Sequence, residues 1–225
     1  MAQASSPMAL LRLLWLVSPA LPIGSYAYSR GLEYAVSRGW VENEASARDW
    51  IDGVLDRQVA TLDAPLVARL HDAYTADAPS EVARWSTLSC ALRESAETAL
   101  EDRQLGLALA RVLREAGVAR AQALPPEGSY VTAFALAAVH YGIARTDAVL
   151  AYLFAFAEAQ VIAAIKLVPL GQTAGQRVLA SLLARIPQLA ERALALPDEE
   201  IGAYTPGLAL ASALHESQYT RLFRS

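Results

Sequence analysis

Apolar residues recur at helical spacing along most of the chain, and no stretch alternates apolar and polar residues for long enough to predict a strand. Proline, glycine and small polar residues separate these segments, and such residues end helices. The connections between the segments are short. The pattern therefore predicts an all-α fold, a single-domain bundle of about ten helices over residues 1–225.

The same prolines, glycines and small polar residues predict where the helices begin and end. The segment "SPALPIGSY" should stop a short apolar helix over 9–17, because it contains two prolines and a glycine. Asn43 is a candidate N-cap for a helix over 44–60, and Asp63 with Pro65 should begin a separate helix. Asp147 is a candidate N-cap for a long apolar helix that ends at Lys166. The remaining predicted helices cover 31–38, a segment that begins near 79, then 91–116, 129–139, 173–186, 188–196 and 208–214.

Two apolar segments raise the question of a membrane. Residues 148–170 are long enough to span a bilayer, but they include Glu158 and Lys166. A charge at the centre of a span costs about 2.5–3.5 kcal/mol on insertion scales. The N-terminal "MALLRLLWLVSPALPIG" loosely imitates a signal peptide, yet Arg12 interrupts it and no basic residue precedes Arg12. We expect 148–170 to be the central helix of a soluble bundle and expect no membrane association.

The composition argues against nucleic-acid binding and favours a reducing compartment. The chain is 54% hydrophobic and 19% charged with a net charge of -4, and it has no basic cluster of the kind that binds nucleic acid. Cys90 is the only cysteine, so no intrachain disulfide forms and cysteine usage fits a reducing cytoplasm. We expect Cys90 to be a small core residue.

Motifs for catalysis are missing from the sequence. Gly171 and Gly175 lack the lysine that a phosphate-binding loop needs, and no nucleophile elbow is present. The three histidines are far apart and outside ligand pairs. The adjacent acids, Glu101 with Asp102 and those at 198–200, are expected on solvated surfaces. Composition and motifs alone therefore predict a soluble helical protein without an evident active site.

One enzymatic alternative stays open at this point. Glu158 is an acid within an apolar helix, and His140 precedes that helix. A helical enzyme with these two residues as a hidden acid–base pair is the alternative to a protein that binds other macromolecules.

Two polar-aromatic segments suggest contact surfaces. "SPALPIGSYAYSRGLEYAVSRGWV" combines tyrosine, tryptophan and arginine, which are enriched in interface hot spots, although these side chains could equally pack on the core. The final "HESQYTRLFRS" places Tyr219, Leu222 and Phe223 near the chain end. Such a tail either docks on its own body or becomes ordered on a partner, and we favour the partner.

Three stretches resemble the signature blocks of the urease accessory protein UreF family. They are "LVSPALPIGSYAYSRGLEYAVSRGWV", "YLFAFAEAQVIAAIKLVPLGQTAGQ" and "HESQYTRLFRS", so the resemblance runs from about residue 10 to 225. It implies a cytoplasmic, homodimeric, all-α protein without enzymatic activity. It further implies binding to UreD (also called UreH) and to the GTPase UreG, on apo-urease, for nickel insertion and active-site lysine carbamylation. No cofactor is implied, although nickel could pass through transiently.

The resemblance also implies roles for particular residues, none of them catalytic and none a metal ligand. A surface that faces UreG is implied at Lys166, Gln172, Thr173 and Gln176. A tail over 215–225 that UreD orders is implied at His215, Glu216, Tyr219, Arg221, Leu222 and Phe223. The N-terminal block is carried by Pro22, Gly24, Tyr28, Ser29, Gly31 and Glu33.

Lys166 has two interpretations. A lysine at a helix C-terminus is favoured by the helix dipole by about 0.3–1 kcal/mol, and its long stem can lie on apolar surface while the charge reaches a partner. Alternatively, Lys166 pairs with an internal acid such as Glu158.

Overall fold

The predicted all-α fold is confirmed. The computed structural model describes residues 5–125, 128–202 and 205–224, and these contain eleven α-helices and no strand. Residues 126–127, between the predicted helices 91–116 and 129–139, and Ser225 of the predicted tail lie outside the described residues. The helices are α1 (Pro7–Leu16), α2 (Leu32–Ser37), α3 (Glu44–Val54), α4 (Ala64–Thr75), α5 (Pro79–Ala91), α6 (Ala96–Glu115), α7 (Tyr130–His140), α8 (Arg145–Leu167), α9 (Gln172–Leu183), α10 (Ile186–Ala195) and α11 (Pro206–His215).

Helices α4, α7 and α8 form the centre of the bundle. α4 packs against α5, α7 and α8, and α7 also packs against α6. Nine of the eleven residues of α7 are buried, which leaves this helix without a polar face. A helix that is apolar all round needs neighbours on every side, and this places α7 in the core.

Helix α8 is a core helix, as predicted. It is the one described helix long and apolar enough to cross a membrane, but 61% of its most apolar stretch is buried within the fold. It packs against α4, α9 and α10. Its C-terminal end leaves the core at Lys166, which is exposed.

The predicted helix boundary at Asp63 is wrong. The chain stays helical from Glu44 to Thr75, because a π-helical segment, Leu55–Asp63, joins α3 to α4. Pro65 has no N–H to give to the carbonyl of Thr61, which instead accepts a hydrogen bond from the N–H of Gly202 at 3.0 Å. The neighbouring loop thus supplies a backbone donor at the turn where Pro65 has none.

The two predicted N-caps have different outcomes. Asn43 caps α3 with its side chain, in a reciprocal arrangement with Ser46. Asp147 does not cap α8, since Ala144 occupies that position. The Asp147 carboxylate in the first turn instead accepts a hydrogen bond from the N–H of Ser5 at 3.1 Å, which attaches the chain before α1 to α8.

The prediction that Glu101 and Asp102 are solvated is wrong, because both are buried. Arg30 pairs with Glu101 at 2.6 Å, and Arg93 contacts Asp102 at 3.2 Å and Asp63 at 2.7 Å. Burial raises the pKa of Asp102 above its usual range despite the nearby Arg93. These five side chains form a buried ion cluster in the core.

Two smaller surface predictions also have clear outcomes. Cys90 was expected in the core and is exposed on α5. The acids at 198–200 are exposed, as expected. The C-terminal end of α5 therefore presents Cys90 to solvent while Ser89 beside it is buried.

Candidate functional site

The C-terminal tail docks on the N-terminal block through the buried carboxylate of Glu33. Glu33 lies in the first turn of α2 and is 7% exposed. Its two oxygens accept hydrogen bonds from the backbone N–H groups of Leu222, at 2.6 Å, and Phe223, at 2.9 Å. Hydrogen bonds to a charged acceptor contribute about 1.5–3 kcal/mol each, so this one side chain fixes the path of the tail.

His215, at the end of α11, connects Glu33 to a second buried acid. Its Nε2 atom lies 3.1 Å from Glu33, and its Nδ1 atom lies 3.0 Å from Glu97 on α6. Glu97 also pairs with Arg221 at 3.0 Å. Protonated imidazole donates from both nitrogens, which matches two carboxylate acceptors. We call Glu33, Glu97, His215 and Arg221 the tail clasp.

Gly31 allows α11 to approach α2 closely. Its φ of +77° lies in the left-handed region that favours glycine. A Cβ atom at this position would lie 3.0 Å from the Cβ of Ala211 and 3.3 Å from the backbone nitrogen of Ser212. The missing side chain therefore sets the spacing that lets His215 reach Glu33.

Lys166 joins the same site through Phe223. The Phe223 side chain is buried, and the Lys166 Nζ atom lies 5.6 Å from the centre of its ring. Among the described residues Lys166 has no ion pair within 4.0 Å, and Glu158 instead accepts a hydrogen bond from Tyr26 at 2.9 Å. The structure thus places the ammonium group over an aromatic face rather than beside an internal acid.

The residues implied to face UreG are all exposed and lie near the junction of α8 and α9. Helix α8 ends beside Lys166, and α9 begins five residues later at Gln172. Gly175 brings the two helices together, since a Cβ there would lie 2.4 Å from the Cδ1 atom of Ile165. The exposed members of the set are Lys166, Gln172, Thr173 and Gln176.

The residues implied to face UreD divide into two groups. His215 and Phe223 are buried and hold the tail on the body. The others are exposed, namely Glu216, Tyr219, Arg221 and Leu222. Tyr219 is 103% exposed and Leu222 is 66% exposed, so both apolar side chains are presented to solvent on a docked segment.

The N-terminal block also contributes mainly positioning residues. Pro22 and Gly24 are exposed in the turn that begins the block. Ser29 is buried and accepts a hydrogen bond from the N–H of Glu33 at 3.3 Å. Tyr28 is buried and donates to Gln104 at 2.5 Å. The N–H of Arg224 donates to the carbonyl of Ala27 at 2.8 Å, which ties the end of the tail to this block.

A small cavity of about 40 Å³ with both apolar and polar walls lies behind the N-terminal block. Its walls include Tyr26, Arg30, Glu101 and Tyr130. Burial raises the pKa of Tyr130 and, together with Glu158, that of Tyr26, so both phenols stay protonated. The volume is enough for a few waters, since one water needs roughly 10–15 Å³.

Sequence reasoning missed Glu97 and Arg30. Glu97 lies in the first turn of α6, where an acid is expected for the helix dipole alone, so nothing marked it as a partner of His215. Arg30 has a φ of +51°, an uncommon conformation for a residue other than glycine. The adjacent Gly31 was visible in the sequence, but it does not reveal that Arg30 shares this conformation.

Comparisons with known proteins find relatives over the full length of the chain. A model of the UreF family matches residues 41–183. The chain is 48% identical over 228 residues to the urease accessory protein UreF of Alkalilimnicola ehrlichii, with all of both chains covered. It is 49% identical over 219 residues to the protein of the same name from Teredinibacter turnerae, covering 96% of this chain and 98% of the relative.

Proposed function

The chain belongs to the UreF family of urease accessory proteins, and from this premise we propose that it is an adaptor in urease maturation rather than an enzyme. It binds UreD (UreH) and the GTPase UreG, and the assembly docks on apo-urease. There it supports insertion of nickel and carbamylation of the active-site lysine. It acts in the cytoplasm as a homodimer, has no cofactor, and nickel passes through it only transiently.

The observation that carries the proposal is that all three signature segments meet around the docked tail. Glu33 comes from the first segment, Lys166 from the second, and His215 and Phe223 from the third. A buried network of charged groups stabilises a fold only when every member is paired, and it specifies one geometry. This network holds a chain end that would otherwise fray, with apolar side chains left outside.

The exposed part of the tail is suited to the UreD-type partner. Tyr219 and Leu222 present apolar surface, and Arg221 stands beside them with its side chain 40% exposed. Tyrosine and arginine are enriched in interface hot spots, where truncation of one side chain costs about 2 kcal/mol or more. The partner would bury these side chains on a tail that is already held in place by the body of the protein.

The contact between Lys166 and Phe223 links the two proposed partner surfaces. Phe223 belongs to the tail, and Lys166 borders the exposed surface of Gln172, Thr173 and Gln176. A partner that moves the tail also changes the surroundings of the Lys166 ammonium group. Binding of UreD and binding of UreG are therefore coupled in this proposal, and thermodynamic linkage makes the coupling reciprocal.

The enzymatic alternative has no supporting contact. Glu158 is bound by Tyr26, whereas His140 is exposed with its ring against Tyr141. Glu158 lies 13 residues beyond the start of α8, roughly 20 Å along the axis at 1.5 Å per residue, and His140 precedes that start. His140 therefore lies before the start of α8, whereas Glu158 lies past its middle.

Co-purification with UreD and UreG tests the proposal. The variants are Leu222→Asp with Tyr219→Ala, which alter only exposed side chains, and a truncation that ends at Leu214. We expect both to lose UreD, with the truncation also destabilised because it leaves Glu33 and Glu97 without His215. If wild type enters no complex with UreD, the adaptor role is wrong. If the surface variant assembles as wild type does, the tail is not the contact.

A further inference from the structure

The tail clasp of Glu33, Glu97, His215 and Arg221 is balanced in charge only when the His215 imidazole is protonated. The four side chains meet at distances of 3.0–3.1 Å. With an imidazolium, two cations face two carboxylates and the net charge is zero. With a neutral imidazole, one negative charge is left without compensation. His215 is fully buried, and an uncompensated charge in a buried cluster is costly.

Both carboxylates of the clasp are bound as acceptors. The Oε1 atom of Glu33 accepts from the N–H of Leu222 at 2.6 Å, and its Oε2 atom accepts from the N–H of Phe223 at 2.9 Å. Both oxygens of Glu97 lie 3.0 Å from the Nδ1 atom of His215. Every carboxylate oxygen therefore faces a nitrogen, which is the arrangement of two ionised acids.

A neutral imidazole cannot make both of its contacts. It has one N–H group, and its other ring nitrogen presents a lone pair. In one tautomer this lone pair would face Glu33 from 3.1 Å, and in the other it would face Glu97 from 3.0 Å. Two acceptors at this distance repel each other. Deprotonation of His215 thus replaces one of the hydrogen bonds that join α11 to α2 and α6 with a repulsion.

Other charged side chains on the surrounding elements leave this balance unchanged. Glu101 on α6 pairs with Arg30 at 2.6 Å. Glu94, just before α6, accepts a hydrogen bond from the hydroxyl group of Thr205 at 3.0 Å. The nearby cations are exposed, where water and salt screen them, namely Arg38 on α2, Arg103 on α6, Lys166 on α8 and Arg224 in the tail. Protonation of His215 therefore sets the charge of the clasp.

We propose that the tail clasp is a pH switch, in which protonation of His215 docks the C-terminal tail and deprotonation releases it. Docking takes up one proton, so the docked tail is stabilised at low pH and this stabilisation is lost as the pH rises. The tail is the part that moves, because residues 216–224 form no helix and are held largely through Glu33, Glu97 and the buried Phe223. Its release exposes the surplus carboxylate to water. The inference goes beyond the proposed function and does not depend on it.

The full-length protein allows a direct test without any substitution. It contains three histidines, so selective ¹⁵N labelling of histidine gives few NMR signals. We expect both ring nitrogens of His215 to carry a proton while the tail is docked. Docking is read from hydrogen exchange at Leu222 and Phe223, corrected for the intrinsic pH dependence of exchange. Their protection should fall by up to about tenfold per pH unit, the limit for one proton, as His215 loses its proton.

Two variants show whether His215 causes the pH dependence. His215→Gln removes the titrating group and should make protection of the tail independent of pH. His140→Gln is the matched control, because His140 is exposed, and it should keep the wild-type profile. Thermal unfolding of each variant verifies the fold.

Glu97→Gln provides a second variant that retains His215. Its clasp is balanced with a neutral imidazole, since Glu33 and Arg221 then compensate each other. The new amide can also donate to the ring nitrogen that has lost its proton. We expect the fall in tail protection with pH to become much smaller than in wild type.

Several results would overturn the switch. One is constant protection of the tail in wild type over the whole pH range in which the helical body stays folded. Another is a His215 ring nitrogen without a proton while the tail is docked. A wild-type pH profile in either His215→Gln or Glu97→Gln would do the same. None of these measurements needs a partner protein, so their failure leaves the adaptor role standing, and failed co-purification with UreD leaves the switch standing.

Discussion

The imidazole Nε2 atom of His215 lies 3.1 Å from the carboxylate of Glu33, although 182 residues separate them in the chain. His215 is fully buried, and the same carboxylate holds the backbone of Leu222 and Phe223. The contact therefore joins the N-terminal block to the C-terminal tail. It also makes the order of the tail depend on a single acidic side chain, which can be altered without removing any of the tail.

Glu33→Gln should loosen the tail while the helical body stays intact. Glutamine fits the space but lacks the charge that accepts from His215 and from two amides. We expect hydrogen exchange at the amides of Leu222 and Phe223 to become roughly 10–100-fold faster, which corresponds to about 1.5–3 kcal/mol. Mass-resolved exchange of the C-terminal peptide measures this.

The matched control is Glu199→Gln, at an exposed position in the turn Asp198–Glu200. It removes the same charge and should leave exchange in the tail unchanged. Equal protection of the tail in Glu33→Gln and wild type would show that Glu33 does not hold the tail in solution.

Gly31→Ala should destabilise the protein more than Gly24→Ala does. Both glycines have positive φ, +77° and +78°, so both substitutions carry a backbone cost of about 1–2 kcal/mol. Only at Gly31 does the new Cβ meet other atoms, those of Ala211 and Ser212. We expect a loss of roughly 2–4 kcal/mol in the free energy of unfolding at Gly31, measured by chemical denaturation. Equal losses would mean that α11 does not pack closely on α2.

The fold was accessible from the sequence because apolar periodicity records which face of each helix is buried. The core helix α8 was predicted from its long apolar run, and Asn43 was predicted as an N-cap from the preference of asparagine for that position. The continuous helix through Asp63 was not predicted, because proline commonly lies in the first turn of a new helix. The N–H that donates to the carbonyl of Thr61 comes from Gly202, far along the chain. Local sequence does not encode such a compensation.

The candidate site was likewise predictable only in part. The resemblance identified the three segments that contribute to it, but it gave them separate partner surfaces. It did not show that Lys166 lies on Phe223 or that His215 lies between Glu33 and Glu97. Glu101 and Asp102 were assigned to solvent because adjacent acids usually are, and their buried arginine partners become neighbours only in the folded chain.

Asp102→Asn should change how stability depends on pH. Burial raises the pKa of Asp102 in the folded protein above its ordinary value of 3.8, so the folded state holds a proton that the unfolded state releases. Stability from this group is therefore present below pH 3.8 and is lost as pH rises through the folded pKa. The free energy of unfolding of wild type relative to Asp102→Asn should fall as pH increases above about 4.

Denaturation at several pH values measures this difference. Glu199→Gln is the control, because Glu199 is exposed, and its difference from wild type should vary much less. A difference for Asp102→Asn that grows with pH would mean that attraction to Arg93 outweighs burial at Asp102.

Lys166→Met should weaken recruitment of UreG without destabilising the fold. Methionine keeps an unbranched side chain over Phe223 but removes the charge, and an exposed cation–π contact contributes only about 0.5–1 kcal/mol to stability. A lost charge pair at an interface is larger, so we expect UreG affinity to fall at least tenfold, or about 1.4 kcal/mol. Arg111→Met, at an exposed position of α6, is the control for lost positive charge. If both variants lower affinity equally, the effect is general electrostatics. If neither does, Lys166 serves only the helix end and the tail, and the GTPase surface lies elsewhere.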